Sequence, residues 1–337
     1  MNIKSCLYRL VLFIPIFRRS GILGTHAEQF DIKGLQDRTR GALIGLAVGD
    51  AVGTTLEFLP RGSFEPINDM VGGGHFALKK GYWTDDTSMA LCLGYSLIEA
   101  GGFDPSDQMT RYCDWMDYGY LSSTGTCFDI GITVSSALGR FKKNGNPLSG
   151  SKARWSSGNG SIMRLAPIPM YYQHSMEEAV LYAAESSRTT HGSDLCLDAC
   201  KLMSSIIVEM INSGRKVYPS DCKFIPQTDE IMLLRQGMFL EKQIDQIKGS
   251  GYVVESLEAA MWCFYNTSTF EECVLRAANL GDDADTTAAI AGQLAGSYYG
   301  VSGIKKSWLE SLHKYESIQL LADRIFDVSY KRRLSSY

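Results

Sequence analysis

Three carboxylates and two hydroxyls fall within seven residues at Gly281-Asp282-Asp283-Ala284-Asp285-Thr286-Thr287. Burying that much negative charge is unfavourable unless something pairs with it. No Lys or Arg lies within several residues, so a bound cation is the natural counter-charge. Far upstream, Trp83-Thr84-Asp85-Asp86-Thr87 repeats the composition. Asp and Thr oxygens are hard donors, suited to Mg²⁺, Mn²⁺ or Ca²⁺ rather than to a soft metal. An EF-hand loop would require Gly at its sixth position and Glu at its twelfth, and neither is present. An aspartyl-phosphate phosphatase places Asp-x-Asp-x-Thr at the end of a buried strand, whereas Val274 to Asn279 reads as helix. Two separated Asp clusters, each with a Thr, better suit a pair of ions on one substrate, orienting hydroxyls and polarising water. The chemistry indicated is metal-assisted hydrolysis.

The elements that must carry these residues are helical. Gly41, Gly45, Gly49 and Gly53 recur every fourth position, on one face of a helix. Each glycine costs a helix roughly 1 kcal/mol against alanine, so four in register imply the close approach of another backbone. Ala288, Gly292, Ala295 and Gly296, just after the acidic run, form a second small-residue face, and the two striped helices are expected to meet at the centre. Glu57 follows the first stripe; its spacing alone reads as a surface carboxylate. Pro60 to Lys80 is loop-like, and a helix carrying Met89, Leu91, Leu93 and Leu97 follows Thr84 to Thr87. Further helices are expected over Pro105–Tyr118, Ile130–Lys143, Leu195–Asn212, Asp229–Lys248, Tyr252–Phe264 and Ile318–Val328. Ser175-Met176-Glu177-Glu178 is a capping box opening another, and Thr269 opens the helix that ends near Gly281. The Gly/Asn/Ser run at Ser157 to Ser161 offers several N–H groups to an anion, although such clusters are more often surface loops. Val217 to Ile225 reads as an exposed insertion. Alternating strand patterns are nearly absent, so the fold expected is all-α.

The bulk numbers narrow the class. At 337 residues, with 45% hydrophobic and 21% charged residues, the composition is that of a soluble globular protein. A net charge of -4 argues against a nucleic-acid binder. Nine cysteines without a Cys-x-x-Cys pair point to reduced thiols and a cytoplasmic setting. Residues 1–34 stand apart as an N-terminal extension, and 35–330 read as a single domain. Leu10 to Phe17 is apolar but broken by Pro15 and closed by Arg18-Arg19, far short of the roughly 20 residues a membrane span needs. A poor signal peptide, a peripheral anchor and a packed arm all fit it.

With these residues in view, the chain resembles the ADP-ribosylglycohydrolase family, in particular its bacterial dinitrogenase-reductase-activating branch. The motifs are Gly45 to Gly53 with Glu57, Trp83 to Thr87, Phe128-Asp129-Ile130-Gly131, Gly158 to Ser161 with Met163-Arg164, Thr190-His191, and Asp283 to Thr286. Each is weak alone; together, in order from about Gln36 to Gly300, they are specific. The resemblance implies a compact all-α fold with a central dinuclear cleft holding two Mg²⁺ (or Mn²⁺). It assigns Thr84, Asp85 and Asp86 to one ligand set and Asp283, Asp285 and Thr286 to the other, with Asp282 as a helix cap or an outer residue. Glu57 becomes an acid closing the site, and Asp129 a carboxylate near the scissile bond. Gly158, Asn159, Gly160 and Ser161 would hold a diphosphate, His191 would lie along the ADP-ribose, and Tyr252 would stack on adenine. Two departures stand out: relatives carry Asn where this chain has Ile132, and often Pro at His75.

The function so implied is removal of mono-ADP-ribose from modified protein by cleavage of its N-glycosidic bond to arginine. Glu57, Asp129 and Asp283 are the catalytic candidates, free ADP-ribose the product, and the expected enzyme a monomer. Serine- or nucleobase-linked ADP-ribose is the nearest alternative, kept open by Ile132, and nucleic acid would enter only as such a modified substrate. A non-catalytic ADP-ribose binder would have lost ligand positions, and all six are intact here.

Overall fold

The two glycine-striped helices do meet, and their contact sets the frame of the molecule. In a computed structural model describing residues 22–335, thirteen α-helices follow one another without a β-strand. They are α1 Ile22–Gly53, α2 Asp85–Glu99, α3 Pro105–Tyr118, α4 Ile132–Asn144, α5 Pro167–Tyr171, α6 Met176–Arg188 and α7 Asp194–Ser213. The rest are α8 Asp229–Arg235, α9 Val253–Tyr265, α10 Phe270–Ala278, α11 Ala284–Tyr299, α12 Lys306–Ser311 and α13 Tyr315–Ser335. The all-α expectation therefore holds. The chain divides into two units, the second beginning at Gly34. Of the first, only residues 22–33 of α1 are described, and the apolar stretch Leu10–Phe17 lies outside the described residues. No described helix is long and apolar enough to cross a membrane.

Helices α1 and α11 pack antiparallel with their backbones nearly touching. A Cβ built on Gly41, Gly45, Gly49 or Gly53 would lie 2.1, 2.3, 2.1 or 2.4 Å from the carbonyl oxygen of Gly296, Gly292, Ala288 or Ala284. From the other side, one on Gly292 would lie 2.0 Å from the Gly45 oxygen. No side chain fits there, which is why the sequence tolerates helix-weakening glycines in register. The antiparallel sense brings the C-terminal end of α1 beside the N-terminal end of α11. Around α11 pack α2, α7, α9 and α10, and α7 and α9 are buried along most of their length.

Local signals and structure part company in three places. The helix expected over Asp229–Lys248 stops at Arg235, because Gly237 takes φ 79° and the chain runs through turns to a short 3₁₀ segment at Ile244–Gln246. Ser175 caps α6 through the Glu178 N–H, but the Glu178 carboxylate pairs with His174 rather than closing the box. The stretch from Val217 to Ile225 is anchored by buried Pro219 and Cys222 and is not wholly exposed.

Candidate active site

The predicted acidic residues converge where three chain segments end. Asp50 and Glu57 come from the end of α1 and the turn beyond it; Thr84, Asp85 and Asp86 open α2; Asp283, Asp285 and Thr286 open α11. Asp129 joins from the loop before α4. Carboxylate oxygens of Glu57, Asp129 and Asp285 lie within 4.8 Å of one another, as do those of Asp50, Asp86 and Asp285. Asp285 belongs to both groups. Glu57 is 3% exposed, so the surface reading that spacing alone suggested for it does not apply.

Asp50 was not legible as a site residue, and the structure gives it a specific task. Its Oδ1 accepts from the Thr84 N–H at 2.9 Å and its Oδ2 from the Thr87 N–H at 3.0 Å. The hydroxyls of Thr84 and Thr87 approach the same two oxygens at 2.9 and 2.6 Å. Thus α2 is capped by a carboxylate of α1 and not by its own Thr84 side chain, with negative charge at the positive helix end. Two backbone N–H groups and the Thr87 hydroxyl hold the two Asp50 oxygens, so Asp50 fixes the start of α2. The signal in the sequence was slight, a single carboxylate amid Gly, Ala and Val.

Elsewhere the cluster lacks protons and partners. The Thr84 hydroxyl lies 2.9 Å from Asp50, 3.0 Å from Asp285 and 3.2 Å from Asp86, one hydrogen among three carboxylates. Glu57 Oε2, Asp86 Oδ1 and Thr287 Oγ1 are buried without a hydrogen-bond partner. Burial and then mutual repulsion raise the acids together. Glu57 is pushed to about 10 and Asp129 to about 7, while Asp85, Asp86 and Asp285 move well upward. Asp50 rises only to about 6, because its hydrogen bonds oppose burial. Orphaned oxygens, an all-oxygen donor set and no basic partner fit a hard divalent cation.

The site opens into a cleft of about 570 Å³. Its lining includes Glu57, Asp85, Asp129, Gly158, Asn159, Gly160, His191, Asp283 and Thr286. The glycine loop is held from below: the Asn159 N–H donates to the Gly251 oxygen, and the Val253 N–H to that of Ser157. The Asn159 amide donates to Asp283 at 2.7 Å and to Ser256 at 2.8 Å, tying the loop to the start of α11. His191 lies beneath the loop, since a Cβ on Gly160 would be 2.8 Å from its ring. Burial, aided by Arg164, lowers His191 to about 3, so it is neutral. The fully buried Arg164 guanidinium donates to the Gly160 oxygen at 2.8 Å and to Thr190 at 2.7 Å, and stacks on Tyr112.

Two predicted residues are not among those lining the cleft. The Ser161 hydroxyl is buried against Ser187 and Cys200. Tyr252 stands at the start of α9, bridged to Gly158 beside the cleft rather than lining it. Asp282 lines the cleft but does not cap α11, whose N-cap is Asp283. Phe58, Asp129 and Asp282 all take left-handed φ angles, of 63°, 59° and 56°. Such backbones cost about 1–3 kcal/mol each in non-glycine residues and persist where the surroundings impose them.

Comparison with known proteins places this arrangement. The family model described as ADP-ribosylglycohydrolase matches residues 31–335. ADP-ribosylarginine hydrolase Tri1 of Pseudomonas putida is 44% identical over 294 residues, covering 86% of this chain and 78% of the relative. ADP-ribosyl-[dinitrogen reductase] glycohydrolase of Rhodospirillum rubrum is 31% identical over 283 residues, 82% of this chain and 91% of the relative. Among solved structures, an ADP-ribosylglycohydrolase-related protein complex superimposes with a TM-score of 0.76 at 38% identity, over 88% of this chain and 99% of that one.

Proposed function

Because this chain belongs to the ADP-ribosylglycohydrolase family, we propose that it hydrolyses the N-glycosidic bond between ADP-ribose and an arginine side chain of a modified protein. The observation that carries this reading is the shared Asp285, which brings Glu57 and Asp129 against the cluster from α2 and α11 inside one cleft. Thr84, Asp85, Asp86, Asp283, Asp285 and Thr286 would hold two Mg²⁺ or Mn²⁺ ions. Bound there, such ions supply Lewis acidity toward ribose hydroxyls and water.

The protein's own groups do the rest. Gly158, Asn159 and Gly160 line the cleft where the diphosphate would lie, with Arg164 beneath them adding positive charge and fixing the loop through the Gly160 oxygen. Neutral His191 supports the same wall along the ADP-ribose, and Tyr252 is available at the rim for adenine. Glu57 and Asp129 stand together at the acidic end, where one carboxylate takes a proton from water as its oxygen bonds to the anomeric carbon. The bond from that carbon to the guanidinium nitrogen breaks, the nitrogen regains a proton, and free ADP-ribose leaves. The transition state is oxocarbenium-like, so nearby carboxylates stabilise it.

Ile132, 85% exposed on the cleft wall, keeps a second reading in view, in which the bond cleaved joins ADP-ribose to serine or to a nucleobase. A panel of arginine-, serine- and base-linked ADP-ribose substrates, assayed with Mg²⁺, separates the two. Preferential release from arginine supports the proposal; faster release from serine or a base overturns it.

A further inference from the structure

Glu57 and Phe58 are neighbours in opposite surroundings: the carboxylate is buried, while the phenyl ring is 57% exposed on the cleft wall. An exposed phenylalanine in the left-handed region is disfavoured both by hydration and by backbone sterics. The structure nevertheless fixes it. The Phe58 N–H donates to the Asp282 oxygen at 2.7 Å, and the Asp282 N–H to the Leu59 oxygen at 2.8 Å. The ring meets His75 edge-on at 5.1 Å and Phe76 at 6.2 Å, and Phe76 meets Phe128 at 5.0 Å. Phe128 precedes Asp129, so these aromatic contacts connect the two loops that present Glu57 and Asp129. Carboxylates of Glu57, Asp129 and Asp282 line the same cleft as the ring.

A ring held open to solvent beside several carboxylates is complementary to a flat, delocalised cation. Guanidinium groups stack on aromatic faces and pair with carboxylates, whereas a seryl oxygen has neither plane nor charge. We propose that Phe58 is a specificity-determining residue, forming the wall against which the arginine guanidinium of the modified protein stacks before and during cleavage. This rests on the hydrolase reading above and adds the residue that selects the leaving group.

The test compares wild type, Phe58→Leu and Phe58→Tyr in the full chain. Leucine keeps bulk without a ring face, and tyrosine keeps the ring. Steady-state kinetics on arginine- and serine-linked substrates are read beside calorimetric affinity for free ADP-ribose. Loss of a cation–π contact predicts that Phe58→Leu raises KM for the arginine substrate about three- to thirtyfold. Phe58→Tyr retains the wild-type KM, and ADP-ribose affinity stays the same in all three. An unchanged KM in Phe58→Leu, an equal loss in Phe58→Tyr, or a parallel fall in ADP-ribose affinity overturns the assignment. If wild type cleaves no arginine linkage, the underlying reading fails and this one with it; cleavage that is insensitive to Phe58→Leu refutes this inference alone.

Discussion

At the scale of single residues, the site is a set of acids that cannot all be ionised without help. Asp50 and Asp129 are held near 6 and 7, above the ordinary 3.8. A folded value raised above the unfolded one contributes stability that is complete below the unfolded value and is lost as pH rises through the folded one. The metal-free protein should therefore lose stability from these groups between about pH 4 and pH 7. A divalent cation takes the place of the protons. The Mg²⁺-induced rise in melting temperature, measured by thermal scanning, is expected to be larger near pH 8 than near pH 5. Equal increments at both would contradict this account. His191 acts in the opposite sense: its lowered value gives stability above 6.5 that is lost as pH falls. Comparing the two conditions at one pH cancels that contribution. Asp283, Asp285 and the Thr84 to Asp86 run were legible because carboxylates without counter-charges are conspicuous in a sequence. Asp50 and Phe58 were not, since a lone acid in a glycine helix and a lone aromatic beside Glu57 acquire meaning only from what the fold sets against them.

At the scale of elements, the α1–α11 contact places the acids. Gly292→Ala would drive a Cβ to 2.0 Å from the Gly45 carbonyl oxygen, so the helices must separate. Overpacking of this kind costs about 1–3 kcal/mol, and separation also pulls Asp50 away from Asp285. Gly139→Ala in α4, where nothing lies within 4 Å, should instead stabilise by about 0.5–1 kcal/mol. Chemical denaturation of both variants checks the pair; equal effects would deny the close contact. The stripe was readable because fourfold spacing reports a helix face directly. The end of α8 was less readable: the helix stops at Arg235, ahead of Gly237, and the Arg235 side chain bonds the Phe224 and Cys222 carbonyls, tertiary contacts that helix propensity does not anticipate. The cap of α2 is likewise tertiary: Thr84 stands at the N-cap position, but the capping carboxylate is that of Asp50 from another helix, and the Thr84 hydroxyl lies among the acids.

At the scale of the whole molecule, Glu57, Asp85, Asp129, Asp283 and Thr286, far apart in sequence, line a single cleft together with the glycine loop and His191. Motif order pointed to that assembly, and the helical frame supplies it. Ser161 marks the limit of motif reasoning, since membership of a motif does not decide which way a side chain turns. The central claim is that the Asp285-centred cluster, loaded with a divalent cation, releases ADP-ribose from arginine. The direct test is release of free ADP-ribose from an arginine-mono-ADP-ribosylated protein by chelator-stripped enzyme, before and after Mg²⁺ or Mn²⁺ is restored, with Asp285→Asn alongside. The account predicts no release without metal, full recovery on its return, and no recovery in Asp285→Asn at unchanged far-UV helical signal. Release that persists in chelator, or that survives in Asp285→Asn, would contradict it.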